Sequence, residues 1–122
     1  MPLDRDQATI LDLVVAGRRI REFISDEDFE AFSADLKTQS AVLHQLMILG
    51  EACKRLSREL REQHPEIAWS DIMRMRDKLI HHYEAIDLSL VWKTATREVP
   101  ELVARLASLI KEQPANGESS GG

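Results

Sequence analysis

The chain contains 122 residues, of which 43% are hydrophobic and 30% are charged, and its formal net charge is −5. This length supports one domain with a single core, and the composition excludes a disordered or fibrous protein. An acidic chain is a poor candidate for nonspecific binding to nucleic acid, because phosphate neutralisation supplies most of that affinity. Any contact with RNA must therefore be local, or its positive charge must arise through assembly.

Several features predict a soluble cytoplasmic protein with no membrane contact. The longest apolar runs, such as residues 46–49, are far shorter than a membrane span. The N-terminus is polar and acidic and lacks the basic and apolar segments of a signal peptide. The single cysteine, Cys53, cannot form an internal disulfide, which fits a reducing compartment, and we expect it in the core.

The spacing of apolar residues predicts helices along most of the chain. Residues 4–23 form a first amphipathic helix, and a short helix follows over residues 27–36. The strongest pattern predicts a long core helix over residues 38–63, with a heptad-like seam that favours nearly antiparallel partners. Gly50 lies on the apolar side of this helix, where its missing side chain would let another backbone come close.

The second half of the chain carries clear boundary signals. Ile67 and Trp69 are expected to form a buried anchor in the connection after the long helix. Ser70 is the expected N-cap of the next helix, and Asp87 is the expected N-cap of a last helical segment. Pro100 lies inside this last segment, where we expect a kink or a restart.

These elements together predict an all-α fold, an up-and-down helical bundle. We expect the helical domain to occupy residues 1–112. Residues 113–122 are polar and contain no core residue, which predicts a flexible C-terminal tail.

The helix after Ser70 carries a basic island on this acidic chain. Within residues 73–83, Arg74, Arg76 and Lys78 stand against one acid, so three positive charges minus one negative charge give +2. The island is followed at once by two histidines and a tyrosine. Groups of these kinds can bind phosphate and transfer protons, so this stretch is the candidate functional site.

A helical wheel places Arg76 and Tyr83 together on the apolar face of this helix. A guanidinium there is costly unless it is paired or meets a phosphate or carboxylate at an interface. His81 lies about 140° away from Arg76 in ideal geometry, so a straight helix does not bring the two together. Either the helix distorts near Ile80, or the site draws its groups from two subunits.

Each of these residues also has a purely structural interpretation. Arg76 could pair with an acid such as Glu51 near the seam. His81 and His82 could be helix C-terminal residues favoured by the helix dipole, and Tyr83 could be a core tyrosine with its hydroxyl at the surface. The acid after Arg76 is not spaced from the histidines as a metal ligand would be, so we expect no metal site.

The residues Arg76-Asp77-x-x-x-His81-x-Tyr83 resemble the R-x4-H-x-Y motif of the HepT-like ribonuclease toxins, a branch of the HEPN superfamily. A bare R-x4-H arises often by chance, but the added tyrosine and the polar residue after the arginine make the match specific. The resemblance covers roughly residues 4–110. Its flanking matches are Leu49-Gly50-Glu51-Ala52, Pro65-x-Ile67-x-Trp69, Asp87, Trp92 and Pro100.

The resemblance implies an all-helical homodimer in which the motifs of two subunits converge in a cleft at the interface. It implies metal-independent endoribonuclease activity on RNA, with tRNA as one candidate substrate, and no cofactor. It also implies an MntA-like nucleotidyltransferase antitoxin as partner, which transfers AMP onto Tyr83 and silences the toxin. A site shared between two subunits would account for the separation of Arg76 and His81 on one helix.

The resemblance assigns a role to each residue of the motif. His81 would be the general base or acid, and Arg76 would hold the phosphate and stabilise the transition state. Asp77 would orient Arg76 or His81. Tyr83 would line the cleft, where an added AMP places bulk and negative charge. His82 would have a supporting role.

Two other functions stay open at the level of sequence. The chain could be a non-catalytic helical dimer that binds a nucleotidyltransferase-type partner or a nucleotide through Arg76 and Tyr83. The acidic net charge favours this alternative, whereas the complete arginine, histidine and tyrosine set favours the ribonuclease. A structural bundle without a functional site is the third possibility.

Overall fold

Helices account for the regular structure of residues 2–111, which are the part of the chain that the structure, a computed structural model, describes. The α-helices in chain order are α1 (Pro2–Ile24), α2 (Phe29–Ser33), α3 (Leu36–Arg55), α4 (Arg58–Gln63), α5 (Trp69–His81), α6 (Leu88–Lys93) and α7 (Val99–Lys111). This confirms the predicted all-α bundle. The expected tail over residues 113–122 lies outside the described residues.

Four helices build the core of the bundle. Helix α3 packs against both α1 and α5, and α1 also packs against α7. Each fully buried leucine or isoleucine in these contacts contributes about 1.5–3 kcal/mol to the stability of the fold. The largest fully buried side chains include Phe32, Leu13, Ile20, Leu46, Leu49, Ile72, Leu79, Leu102 and Leu106.

The contact between α3 and α5 is unusually close at Gly50. A β-carbon built on Gly50 would overlap the Cβ of Arg76 and lie 2.8 Å from its Cγ. Met47, three residues before Gly50, shares a groove with Ile80, four residues after Arg76, so the two helices run antiparallel. The predicted backbone approach at Gly50 is confirmed, and the helix that approaches is the one carrying the basic island.

The prediction of a single long helix over residues 38–63 is wrong in one respect, because the structure divides this stretch into α3 and α4. Helix α3 ends at Arg55, and the side chain of Ser57 caps α4 by accepting an amide N–H of its first turn. The backbone N–H and hydroxyl of Ser57 also donate to the buried Asp6 carboxylate at 3.0 and 2.7 Å. This tertiary contact from α1 stabilises the break, and no periodicity in the sequence announces it.

The short helix predicted over residues 27–36 is narrower in the structure, where α2 has only five residues. Two aspartates set its limits. Asp28 accepts the N–H of Ala31 at 2.8 Å and caps α2. Asp35 accepts both the N–H and the hydroxyl of Thr38, at 3.1 and 2.7 Å, and starts α3. Because each aspartate starts a separate helix, the chain forms a short α2 and an earlier start of α3 in place of the longer element that the spacing predicted.

The predicted N-cap at Ser70 is wrong, because α5 begins one residue earlier at Trp69. Its N-cap residue is Ala68, which makes no side-chain capping hydrogen bond. The Trp69 ring N–H instead donates to two carbonyls at the C-terminal end of α4, at 3.1 and 2.9 Å. Ile67 and Trp69 are both buried, which confirms the predicted anchor.

The last helical segment follows its predicted signals. Asp87 caps α6 by accepting the N–H groups of Ser89 and Leu90 at 3.0 and 3.4 Å, which confirms that prediction. A π-helical turn over Thr94–Glu98 joins α6 to α7, and Pro100 is the second residue of α7. Because proline has no N–H to donate, the irregular turn before it is the expected interruption.

Replacing Gly50 by alanine should destabilise the fold, because its new methyl group would overlap the stem of Arg76. Overpacking against the rigid Cβ of Arg76 should cost up to about 3 kcal/mol, and the helix-propensity gain offsets about 1 kcal/mol of it. We therefore expect the free energy of unfolding to fall by about 1–2 kcal/mol. Urea denaturation at fixed protein concentration measures the change. Ser40→Ala, on the exposed side of α3, is the control and should not destabilise. A Gly50→Ala protein as stable as the wild type would contradict the close packing.

Candidate active site

Arg76 is the centre of an ion-pair network between α3 and α5. Its stem packs on Gly50, and its side chain is 25% exposed. One terminal nitrogen, Nη2, lies 2.7 Å from Oε1 of Glu51 on α3. The other, Nη1, donates to Oδ1 of Asp77 at 3.2 Å. The predicted pair with Glu51 is confirmed, although the Glu51 side chain is 50% exposed and is therefore not a core acid.

Asp77 links this arginine to a second cation. Lys54 on α3 donates to Oδ1 of Asp77 at 3.0 Å, the same oxygen that accepts from Arg76. The hydrogen bond from Lys54, and then that from Arg76, lower the pKa of the Asp77 carboxyl below its ordinary value. The sequence predicted that Asp77 orients either Arg76 or His81. Among the described residues Asp77 contacts Arg76, and no contact with His81 is found.

The four groups of this network balance one another in charge. Arg76 and Lys54 carry two positive charges, and Glu51 and Asp77 carry two negative charges. The net positive charge of the basic island is further reduced by Asp71, one turn earlier on α5, whose carboxylate lies 3.5 Å from Arg74. A phosphate that binds Arg76 therefore meets a neutral network and must compete with a carboxylate for the guanidinium.

An open groove of about 290 Å³ lies beside this network, between α3 and α5. Its apolar part is formed by Met47, Ile48 and Ile80, and Ile80 is 43% exposed. The complete lining is His44, Met47, Ile48, Glu51, Arg55, Arg76 and Ile80. The α3 residues of this lining lie at positions 44, 47, 48, 51 and 55, and steps of three and four connect them into a single stripe along that helix.

The histidines and the tyrosine lie at the C-terminal end of α5. His81 is the last residue of the helix, and His82 is its C-cap residue, with a backbone N–H that donates to Lys78 at 2.8 Å. The two imidazole rings are 6.5 Å apart between centroids. Both side chains are exposed, so they are accessible to a substrate.

The placement of Tyr83 on the apolar face is wrong, and so is its interpretation as a core residue. Because α5 ends at His81, Tyr83 belongs to a 3₁₀ turn over Tyr83–Ala85 and leaves the helical wheel. Its side chain is 49% exposed. An exposed phenol can be reached by a modifying enzyme, which a core tyrosine cannot.

Arg76 and His81 are not brought together by α5. The helix is α-helical from Trp69 through His81, so the distortion near Ile80 that we considered from the sequence is not found. The two residues are five positions apart on a regular helix, which separates them by about 7.5 Å along the axis and about 140° around it. Arg76 is directed to α3, whereas His81 shares its side of α5 with Arg74 and Lys78.

Metal and thiol chemistry have no support in the described part of the chain. No group of three or more histidine, cysteine, aspartate or glutamate side chains within it could hold a metal ion. Burial raises the pKa of the Cys53 thiol to about 12, so this cysteine is an inert core residue.

None of the helices within residues 2–111 is long and apolar enough to cross a membrane.

Three residues near the site were missed in the sequence. Lys54 is the second cation of the network, and His44 and Arg55 line the groove at Arg76. His44 and Glu51 are seven residues apart, so their alignment on one side of α3 was readable from helical spacing. Lys54 had no such signal, because its partner lies 23 residues away on another helix.

Comparison with known families defines the class of protein to which this bundle belongs. The sequence profile of the family described as Ribonuclease HepT-like matches residues 15–109. This span contains the α3–α5 contact, the ion-pair network and the end of α5. The chain is therefore a member of the HepT-like ribonuclease family.

Individual relatives match over most of their length. "Probable ribonuclease HepT" of Thermococcus cleftensis is 42% identical over 100 residues, which cover 82% of this chain and 91% of the relative. "Putative RNase MJ0127" of Methanocaldococcus jannaschii is 33% identical over 120 residues, or 98% of this chain and 99% of the relative. No solved structure matches the chain significantly.

Replacing Lys54 by alanine should raise the pKa of Asp77 toward the ordinary aspartate value, because the Lys54 hydrogen bond is the largest cause of its lowering. A lowered folded-state pKa adds stability above the unfolded-state pKa, and this stability is lost as the pH falls through the folded-state pKa. Carboxyl-carbon NMR titration of Asp77 measures the shift. Lys37→Ala is the control. An unchanged Asp77 pKa in Lys54→Ala would contradict the network.

Proposed function

We propose that this protein is the toxin of a toxin–antitoxin pair and cleaves RNA, with tRNA as a candidate, without a metal ion. The observation that carries the proposal is the Arg76 guanidinium, held by packing and ion pairs at the wall of an open groove. Membership of the HepT-like ribonuclease family and relatives named as RNases support the same activity. The exposed histidines at the end of α5 supply proton-transfer groups.

The proposed chemistry uses the nucleophile that RNA carries. The 2′-hydroxyl attacks the adjacent phosphorus, the bond to the 5′-oxygen breaks, and a 2′,3′-cyclic phosphate and a free 5′-hydroxyl result. His81 takes the proton of the 2′-hydroxyl or supplies one to the leaving oxygen. Arg76 binds the non-bridging oxygens and stabilises the negative charge of the transition state. Asp77 holds the guanidinium in orientation, and His82 supports the site from the helix end.

We further propose that the active form is a homodimer with a shared site. Arg76 and His81 point to different sides of α5, so Arg76 of one protomer would act with the partner subunit's His81. The exposed Ile80 and the apolar wall of the groove beside Arg76 support an interface there, because a second copy would remove this surface from water. Two such sites would form in each dimer.

Control by an MntA-like nucleotidyltransferase antitoxin completes the proposal. Tyr83 is two residues after His81 and half exposed, which suits an acceptor for AMP. AMP on its hydroxyl would add bulk and a negatively charged phosphate next to the catalytic histidine, where the RNA backbone must bind. The silencing would therefore act by steric and electrostatic exclusion of substrate.

A binding role without catalysis is the second candidate. It is favoured by the neutral network, in which both terminal nitrogens of Arg76 already have carboxylate partners. In that case the groove and Tyr83 would serve the partner or a nucleotide, and His81 would have no essential function.

Purified protein should cleave total RNA and tRNA in the presence of EDTA. We expect Arg76→Ala and His81→Ala each to lower the cleavage rate by at least about 100-fold, because each removes a charge-stabilising or proton-transfer group. His64→Ala is the matched control and should cleave like the wild type, since His64 pairs with Glu66 away from the groove. Gel analysis of labelled RNA measures the rates.

Intact mass spectrometry of the same preparation makes the result decisive. Folded, unmodified protein that leaves these RNAs intact would contradict the ribonuclease proposal and favour the binding role. Cleavage that survives His81→Ala would contradict the assignment of the site. A mass increase by AMP units that Tyr83→Phe abolishes would identify the acceptor, and cleavage should then be restored by that substitution.

A further inference from the structure

The two terminal nitrogens of Arg76 are both occupied in this structure. These nitrogens are the ones with which arginine binds a phosphate through two parallel hydrogen bonds. Nη2 faces Glu51 at 2.7 Å, and Nη1 faces Asp77 at 3.2 Å. The guanidinium has five N–H donors, so these contacts do not exhaust it. A phosphate that binds through both terminal nitrogens, as the proposed function suggests, would nevertheless compete with one of these carboxylates for the same nitrogen.

The two carboxylates differ in how firmly they are held. Asp77 is adjacent to Arg76 in α5 and also accepts a hydrogen bond from Lys54 at 3.0 Å. Glu51 belongs to the opposite helix, its side chain is 50% exposed, and Arg76 is the one ion-pair partner it has within residues 2–111. Glu51 also has a longer side chain than Asp77, and its half-exposed carboxylate can turn away from Arg76. Glu51 is therefore the carboxylate that can be displaced.

When RNA is present, the competition between its phosphate and Glu51 for the Arg76 guanidinium favours the phosphate. An ion pair between partly exposed side chains contributes little to stability, because water and salt screen it. A phosphate can accept from the guanidinium through two oxygens, whereas Glu51 uses one. If Glu51 stayed in place, its negative charge would lie against that of the phosphate.

We propose that Glu51 is the resting counterion of Arg76 and occupies the position of the RNA phosphate, which displaces it on binding. Glu51 thereby sets the affinity of the site for RNA. It keeps the guanidinium oriented and neutralised in the free protein, and it weakens the binding of any anion that cannot exchange it. This inference rests on the proposed function, because it takes Arg76 as the phosphate ligand.

The proposal predicts the sign of a single isosteric substitution. Glu51→Gln removes the competing charge and should tighten RNA binding by about 1.5- to 5-fold, the factor that corresponds to loss of one partly exposed ion pair. If Glu51 served only to hold Arg76 in place, the same substitution would weaken RNA binding. The direction of the change therefore separates the two roles.

The experiment measures dissociation constants by fluorescence anisotropy, with a labelled 2′-O-methyl oligoribonucleotide that lacks the attacking hydroxyl. The variants are Glu51→Gln, Arg76→Ala and the double substitution. Glu62→Gln is the matched control, because it removes one exposed carboxylate from α4 that does not line the groove. We expect tighter binding by Glu51→Gln alone, weaker binding by Arg76→Ala, and no effect of Glu51→Gln when Arg76 is absent.

Three results would overturn the proposal. They are weaker or unchanged binding by Glu51→Gln, equal tightening by Glu62→Gln, and tightening that persists in the Arg76→Ala background. If Arg76→Ala weakens binding in any of these cases, only the role of Glu51 is wrong. If Arg76→Ala leaves the affinity unchanged, Arg76 is not the phosphate ligand, and the proposed function loses its central group as well.

Discussion

The close approach of α3 and α5 at Gly50 is the constraint on which the candidate site depends. Because position 50 has no side chain, the stem of Arg76 packs directly on the α3 backbone. The guanidinium is then carried to the edge of the contact, where Glu51 follows Gly50 in the chain and meets it at 2.7 Å. A larger residue at position 50 would push α5 away and separate the arginine from Glu51. Packing and site chemistry are thus set by one contact.

The same contact would explain how an acidic protein could carry the proposed RNA site. The net charge of −5 offers no general attraction to phosphate, and the basic island is neutralised by nearby acids. In the proposed site, binding comes from a local exchange, in which the oriented guanidinium gives up a carboxylate for a phosphate. Such a site is selective, because an anion gains from it only when its geometry suits the arginine better than Glu51 does.

The sequence predicted those features that depend on local spacing. Helical periodicity located the bundle and the glycine at the helix contact, and it offered the pairing of Arg76 with Glu51 as one alternative. It failed where tertiary contacts decide: Ser57 ends α3 through Asp6, which lies 51 residues away, and Lys54 joins the site through Asp77. Tyr83 was misplaced because an ideal wheel was extended beyond the last residue of α5.

The central claim is that each site combines Arg76 of one protomer with the partner subunit's His81, since one regular helix keeps the two apart. Mixing the inactive Arg76→Ala and His81→Ala proteins under conditions of subunit exchange tests it. Mixed dimers would each contain one intact site, so an equal mixture should recover about a quarter of the wild-type cleavage rate. A mixture as inactive as its components, with exchange verified, would contradict the shared site.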